Sequence, residues 1–216
     1  MSSETGKFVR ELIRRQIHPV LKGQGFRRRG QNWNRRGVDL TQAVNVQSSW
    51  FEQFGDLTIN LGVHVDGLLP TPNLPASFIF VAGPYCHLRL RIGNLMPTGR
   101  DRWWTFDTSS SDLDEIGRQA AGAILQYGLP FLNRSRSARE LDELLDEDEL
   151  NPFFHADLKA RLGNRRGAEK LLAQEFNEGD ARQSAALRHA KQLGIDLQQL
   201  AHTPSESAQP PSGSAI

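Results

Sequence analysis

An α+β fold with an antiparallel sheet is predicted by three observations. Residues 57–65 alternate strictly between apolar and polar side chains, further short strand-like runs follow one another through short links, and both ends of the chain carry apolar residues at helical spacing. The sheet is expected to be a meander of about five strands packed by N-terminal and C-terminal helices, with a helical C-terminal extension.

The first helix is predicted over Gly6–Lys22. Val9, Ile13, Ile17 and Val20 recur on one side with Phe8 and Leu12 beside them, and Arg10, Arg14 and Arg15 lie opposite. Pro19 lacks a backbone donor and implies a kink or a tight last turn, and Gly23 and Gly25 end the helix. Gln31–Arg36 and Val38–Ser48 flank Gly37 and read as a hairpin. In 57–65, Leu57, Ile59, Leu61, Val63 and Val65 point one way, and Thr58, Asn60, Gly62 and His64 the other. Residues 67–77 contain Pro70, Pro72 and Pro75 and read as a loop, with Phe78–Val81 a short strand or a buried segment. His87–Ile92 alternates again, with Leu88, Leu90 and Ile92 inward and Arg89 and Arg91 outward. Arg102–Phe106 is a closing strand whose adjacent tryptophans, Trp103 and Trp104, face opposite sides.

Helices return after Ser111, a candidate cap with Asp114 and Glu115 in the first turn. Ile116, Ala120, Ala123, Ile124 and Tyr127 form the buried stripe, and Gly128 with Pro130 is expected to stop the helix. Ser137 and Glu140 have capping-box spacing, and Asn151-Pro152 opens a further helix. Two more helices, near 166–176 and 180–193, carry stripes at Ala168, Leu171, Leu172 and Phe176, then Ala185, Leu187, Ala190 and Leu193, with Gly194 as C-cap. The chain thus divides into an α+β domain at 1–150, a helical extension at 151–202 and a Pro/Ser-rich tail at 203–216 expected to be disordered.

With 216 residues, 38% hydrophobic and 24% charged, the chain can bury a core without staples. Its one cysteine excludes an intramolecular disulfide framework and an all-cysteine zinc site. No apolar run is long enough to span a membrane and no secretory leader is evident, so a cytosolic address is expected. The net charge of +1 hides a split: residues 1–36 carry about +8 and residues 107–150 about −7.

Four stretches in order carry a family resemblance: Gly25–Gly30 followed by Asn32-Trp33; Gln47–Ser49 leading into Leu57–Val63; Cys86 through Gly93; and Asp101–Trp104. Together they resemble a bacterial domain of unknown function, the family numbered four-three-zero-four, over roughly residues 7–135. The resemblance implies a bacterial, cytosolic α+β domain and supplies no activity, cofactor or catalytic residue.

Two surfaces qualify as binding sites. If the strands at 57–65 and 87–92 are neighbours, their polar sides bring Asn60, His64, Arg89 and Arg91 together, with Thr58, Asn45 and Gln47 nearby and Trp103 or Trp104 as an apolar platform. Arginine forks suit carboxylate or phosphate, so this face is a candidate for an anionic or peptide ligand. Asp101 and Asp107 are the carboxylates that could instead satisfy the arginines. The second surface is the basic segment with Arg27, Arg28, Arg29, Arg35 and Arg36 interleaved with Phe26 and Trp33, which could bind a nucleic-acid backbone or simply guard a sheet edge. No metal-binding, nucleotide-binding or hydrolase motif occurs, and no metal or cofactor is expected. Adjacent Cys86 and His87 point apart in a strand, and a Cys86–His64 thiol–imidazole pair is the weakest candidate. The acidic run Glu140–Glu149, with Leu141, Leu144, Leu145 and Leu150, reads as a helix with an acidic solvent face, able in principle to dock a basic partner. The expectation is a non-catalytic module that binds another protein, of the kind that occludes a toxin, with a nucleic-acid-binding accessory protein as the alternative.

Overall fold

The computed structural model describes residues 4–51, 54–68, 80–107, 113–148 and 150–197. The proline-rich segment, Phe78, the Ser111 cap and the C-terminal tail lie outside the described residues. So do Glu149 and residues 198–202.

The chain opens with α1 (Glu4–Leu12), a π-helical turn (Ile13–Ile17) and α2 (His18–Gly23) in one continuous rod. Six strands follow among the described residues: β1 (Arg27–Arg29), β2 (Asn32–Arg36), β3 (Leu40–Phe51), β4 (Phe54–Val65), β5 (Leu88–Arg91) and β6 (Trp104–Asp107). They form an antiparallel sheet of order β1-β2-β3-β4-β5, and β6 pairs with the other end of β4. A second rod consists of α3 (Leu113–Ala123), a π-helical turn (Ile124–Gly128) and α4 (Leu129–Asn133). The remaining helices are α5 (Ala138–Asp148), α6 (Pro152–Arg161), α7 (Arg165–Phe176) and α8 (Asp180–Leu193).

Leu57, Ile59, Leu61, Val63 and Val65 all face the core, together with Val44, Val46, Leu88, Trp104 and Phe106. The two rods cover this inner face with Val9, Leu12, Ile13, Ile17, Leu21, Ala120, Ile124 and Leu132. Leu141, Leu144 and Leu145 of α5 and Phe154 and Leu158 of α6 complete the same core. A smaller core of Ala156, Ala168, Leu172, Ala186, Ala190, Ile195 and Leu197 joins α6, α7 and α8. Helix α6 belongs to both cores, and Arg161 donates to the Asp66 carbonyl at 2.6 Å, tying the helical region to the end of β4.

Several expectations change. Gly128 and Pro130 do not stop the helix. In both rods a proline sits six residues after an isoleucine, and the residue before it donates five residues back, His18 to Ile13 and Leu129 to Ile124. The wider turn makes room for a ring that cannot donate and would crowd the carbonyl four residues earlier. Arg27–Arg29 is a strand of its own, joined to β2 through Gly30 at φ 63°. On α8 the buried stripe runs through Ala186 and Ala190, and Leu187 is 39% exposed. The capping box is shared differently as well. Ser137 Oγ accepts the Glu140 N–H at 3.2 Å, while the Glu140 carboxylate accepts from Arg136 N–H at 2.9 Å. No described helix is long and apolar enough to cross a membrane.

Candidate functional site

Strand register aligns polar residues on the outer face, opposite the core. One rung runs Arg29, Asn32, Asn45, Asn60, Arg91 across β1 to β5, each residue paired with the next. The neighbouring rung runs Arg27, Asn34, Ala43, Gly62, Arg89. Gln47 stands across from Thr58 one pair further along β3 and β4. The structure therefore brings Asn60, Arg89 and Arg91 together, with Asn45 and Gln47 beside them.

The asparagines of the first rung are bonded in series. Asn60 Nδ2 donates to Asn45 Oδ1 at 3.0 Å and to Gln47 Oε1 at 3.1 Å, and Asn45 Nδ2 donates to Asn32 Oδ1 at 3.0 Å and to the Gln31 carbonyl at 3.4 Å. Both N–H groups of Asn60 and Asn45 are thereby used. Asn60 Oδ1, Gln47 Nε2 and Asn32 Nδ2 have no partner among the described residues, and all three residues line a cavity of about 960 Å³.

The cavity has two walls. Ala82, Gly83 and Pro84 form one, carried on the second rung, where Ala43 and Gly62 are small enough to admit Val81 and Cys86. Asn34 grips Val81, accepting its N–H at 2.6 Å and donating to its carbonyl at 2.8 Å. Asn94 and Asp101 form the other wall, and Thr58 Oγ1 anchors the adjoining loop by donating to the Arg102 carbonyl at 2.7 Å.

Arg91 is preset. It pairs with Asp101, which also accepts the Trp103 indole N–H at 2.9 Å, and its guanidinium lies 5.0 Å from the Trp103 ring centroid. Arg89 is exposed and makes no hydrogen bond or ion pair among the described residues. With no such partner among the described residues, its guanidinium can donate its fork of N–H groups to a carboxylate or phosphate.

Three expected site residues lie elsewhere. His64 shares the outer face but sits behind the 80–86 segment, its Nδ1 3.2 Å from the Tyr85 carbonyl and its ring 4.5 Å from that of His87. Trp104 faces the core, 4% exposed, because alternation in β6 leaves the outer side to Thr105. Cys86 is buried against Gly62, and burial pushes its thiol up to about 12, so it is neither a thiolate nor a partner of His64. Asp107 lies on the outer face at the far end of β6, across from Phe54.

The basic segment is divided between surface and interior. Arg35 is 6% exposed and donates to Gln42 Oε1 at 2.8 Å, Asn133 Oδ1 at 2.9 Å and the Gln24 carbonyl at 3.3 Å, over the Phe26 ring at 4.6 Å. Burial, with Arg136 nearby, lowers its pKa to about 10. It adjoins the C-terminal end of α4, whose negative dipole end suits a cation without a carboxylate. Arg36 is bound to Asp66, and Arg28 lies 5.4 Å from the Trp33 ring centroid. Arg27 and Arg29 remain exposed, on the same outer face as the asparagine rung.

The acidic helix α5 is largely engaged. Glu147 pairs with Arg134, and Asp142 and Asp146 accept from Lys159 Nζ at 3.0 and 2.8 Å. Asp142 Oδ1 also lies 2.8 Å from His155 Nε2. Ligand atoms of Asp142, Asp146 and His155 lie within 4.8 Å of one another, but the Lys159 ammonium already pairs with both carboxylates there. Burial opposes the Lys159 charge, yet its hydrogen bonds to Asp146 and Asp142 prevail and raise its pKa.

Asn94 was not singled out in the sequence, Asn32 entered only among the residues of the family resemblance, and Arg29 only as part of the basic segment. The phase of Asn32 in its strand carried the signal, but only with the hairpin register that sets it opposite Asn45. A family model described as "Domain of unknown function (DUF4304)" matches residues 17–134, more than half of the chain. No curated protein and no solved structure matches.

Proposed function

The chain belongs to the DUF4304 family of domains of unknown function, and we propose that it is a non-catalytic binding module whose outer sheet face captures an acidic segment of another protein. The observation that carries this reading is Arg89, an unpartnered guanidinium among the described residues, on a cavity floored by the amides of Asn32, Asn45, Gln47 and Asn60. Amides hold a polypeptide backbone through neutral hydrogen bonds, while the arginine supplies the charge-assisted one. Nothing in this arrangement requires a nucleophile or a proton carrier. Covering a partner's own working surface, as immunity proteins do to toxins, needs no more than such a face. A bacterial cytosolic setting fits a chain whose single cysteine is free and buried.

Nucleic-acid binding draws less support. Arg35 and Arg36 are committed to internal contacts, and no aromatic ring is among the residues lining the cavity.

The test uses the full chain as bait beside the R89A/R91A double variant, checked for folding by circular dichroism. The expected result is a protein partner held by the wild type, released by polyglutamate and absent from the variant. A folded variant that retains the same partner overturns the reading.

A further inference from the structure

We infer that the partner's acidic segment lies extended across the strands, over the asparagine rung, and is anchored at both sheet edges by paired arginines. This rests on the proposed protein-binding role of the outer face and adds the shape and spacing of what is bound.

Two neighbouring rungs begin and end in arginine. Arg29 and Arg91 terminate the rung through Asn32, Asn45 and Asn60, and Arg27 and Arg89 terminate the rung through Asn34, Ala43 and Gly62. Each pair is two residues apart on one strand, about 6.6 Å. The two pairs are separated by four interstrand steps, roughly 19 Å at about 4.8 Å per step. Of the four, only Arg91 has a carboxylate partner among the described residues. Between the pairs the floor is uncharged amide.

The path is set by the walls. Val81 and Cys86 cover the middle of the second rung, so a ligand joining the two edges must pass over Asn32, Asn45 and Asn60. Along that path Asn32 Nδ2 and Gln47 Nε2 offer donors, whereas Asn60 Oδ1 offers an acceptor. A peptide unit has both a carbonyl to accept and an N–H to donate. A phosphodiester has only acceptors, carries a charge at every nucleotide across a floor with no cation, and brings bases for which the residues lining the cavity offer no ring. At about 3.3 Å per extended residue, roughly 19 Å is about six residues. The ligand is therefore a segment with acidic residues at both ends and about five neutral residues between them.

The experiment titrates the full chain into fluorescein-labelled peptides and reads anisotropy. One peptide has a Glu-Glu pair at each end of a five-residue neutral spacer, one has a single-residue spacer, and one has a single Glu-Glu pair. The five-residue spacer is expected to bind about fivefold or more tighter than the others. R27A/R29A should abolish that advantage and leave the affinity of the single-pair peptide, and R188A, on exposed α8 surface, should change nothing. Equal binding at every spacing, or no effect of R27A/R29A while R89A/R91A still weakens binding, overturns the crossing geometry and leaves the binding face intact. Failure of every acidic peptide overturns both, as does tighter binding of a short thymidine strand than of the best peptide.

Discussion

Asn34 holds Val81 by both of its backbone polar groups, accepting the N–H at 2.6 Å and donating to the carbonyl at 2.8 Å. A side-chain amide thus does for one residue what a neighbouring strand would do, and it fixes the wall of the cavity to the sheet. Asn34 itself is 8% exposed, so water cannot readily replace it. Asn34→Ala leaves a buried donor and acceptor unpaired, each costing about 1–3 kcal/mol. A loss of about 2–4 kcal/mol in urea unfolding is expected, against less than about 0.5 kcal/mol for an exposed substitution such as Arg188→Ala. A loss at the level of the control would mean that Val81 is not held this way.

The asparagine rung has a fixed polarity, and one carbonyl sets it. Gln31 C=O can only accept, so the Asn45 amide must turn its nitrogen toward it, which turns Asn45 Oδ1 toward Asn60 Nδ2. Two similar-looking substitutions should therefore differ. Asn32→Asp keeps an acceptor where Asn45 needs one and should stay within about 0.5 kcal/mol of the parent. Asn45→Asp sets a carboxylate against the Gln31 carbonyl and Asn32 Oδ1 and removes a donor, at about 1.5–3 kcal/mol. Paired denaturation curves decide it, and equal losses would contradict the polarity.

The core was legible because burial on one face forces a period, and Leu57 to Val65 kept that period without a break. The rods were legible as helices but not in length. Val9, Ile13, Ile17 and Leu21 recur every four residues, as do Ile116, Ala120, Ile124, Gly128 and Leu132. In an α-helix such a stripe drifts by about 40° at each repeat. A π turn takes up part of that drift, so the strict repeat of four fits the wide turns that the structure shows, where a kink or tight turn at Pro19 and a helix end at Pro130 were expected. The site was legible in part. Asn60, Arg89 and Arg91 follow from alternation alone, but the rung needs the pairing of distant strands. Arg35 shows the limit of reading charge as surface: it alternates with the exposed Arg36 and so points inward, where Gln42 and Asn133 receive it. His64 alternates correctly too, yet the chain folds back over it, which no local pattern announces.

Gly62 and Cys86 test how the wall sits on the sheet. A Cβ on Gly62 would stand 2.5 Å from Cys86 Sγ and 2.8 Å from its Cβ, too close for either to remain in place. The buried thiol, with its pKa pushed up to about 12, should resist iodoacetamide in the native chain. Gly62→Ala should lift the 80–86 segment, and labelling of Cys86 at pH 8 should rise by about tenfold or more, with the parallel loss of stability typical of overpacking, about 1–3 kcal/mol. Unchanged protection in the folded variant would mean that the segment does not rest on Gly62.

Stability should fall on mild acidification, and two imidazoles, the half-buried His18 and the buried His155, set the window. The Trp33 indole N–H donates to His18 Nδ1 at 3.3 Å, so that nitrogen must keep its lone pair. Burial lowers the His18 pKa, and Arg28 and Lys22 add repulsion to the charged form. His155 is also lowered by burial, against the opposing hydrogen bond to Asp142 and with Lys159 repelling the proton. In the unfolded chain each ring titrates near 6.5, and in the folded chain lower. Above that range both states are neutral and no pH dependence arises. As pH falls through 6.5 the unfolded chain takes up protons that the folded chain refuses, so unfolding becomes easier until the folded rings titrate as well. The carboxylates held by arginine act in a separate range. Glu11, with hydrogen bonds from Arg14 and Arg15 holding it at about 2, and Asp66, lowered by Arg36, lose their contribution only as pH drops below the ordinary carboxylate values. Urea unfolding should thus give constant stability from about pH 8 to 7 and a decline from about 6.5 towards 5. His18→Gln, whose side-chain oxygen can accept the indole N–H, should make that decline shallower. A flat profile in the parent, or one that rises on acidification, would show that His18 and His155 are not held neutral by the fold.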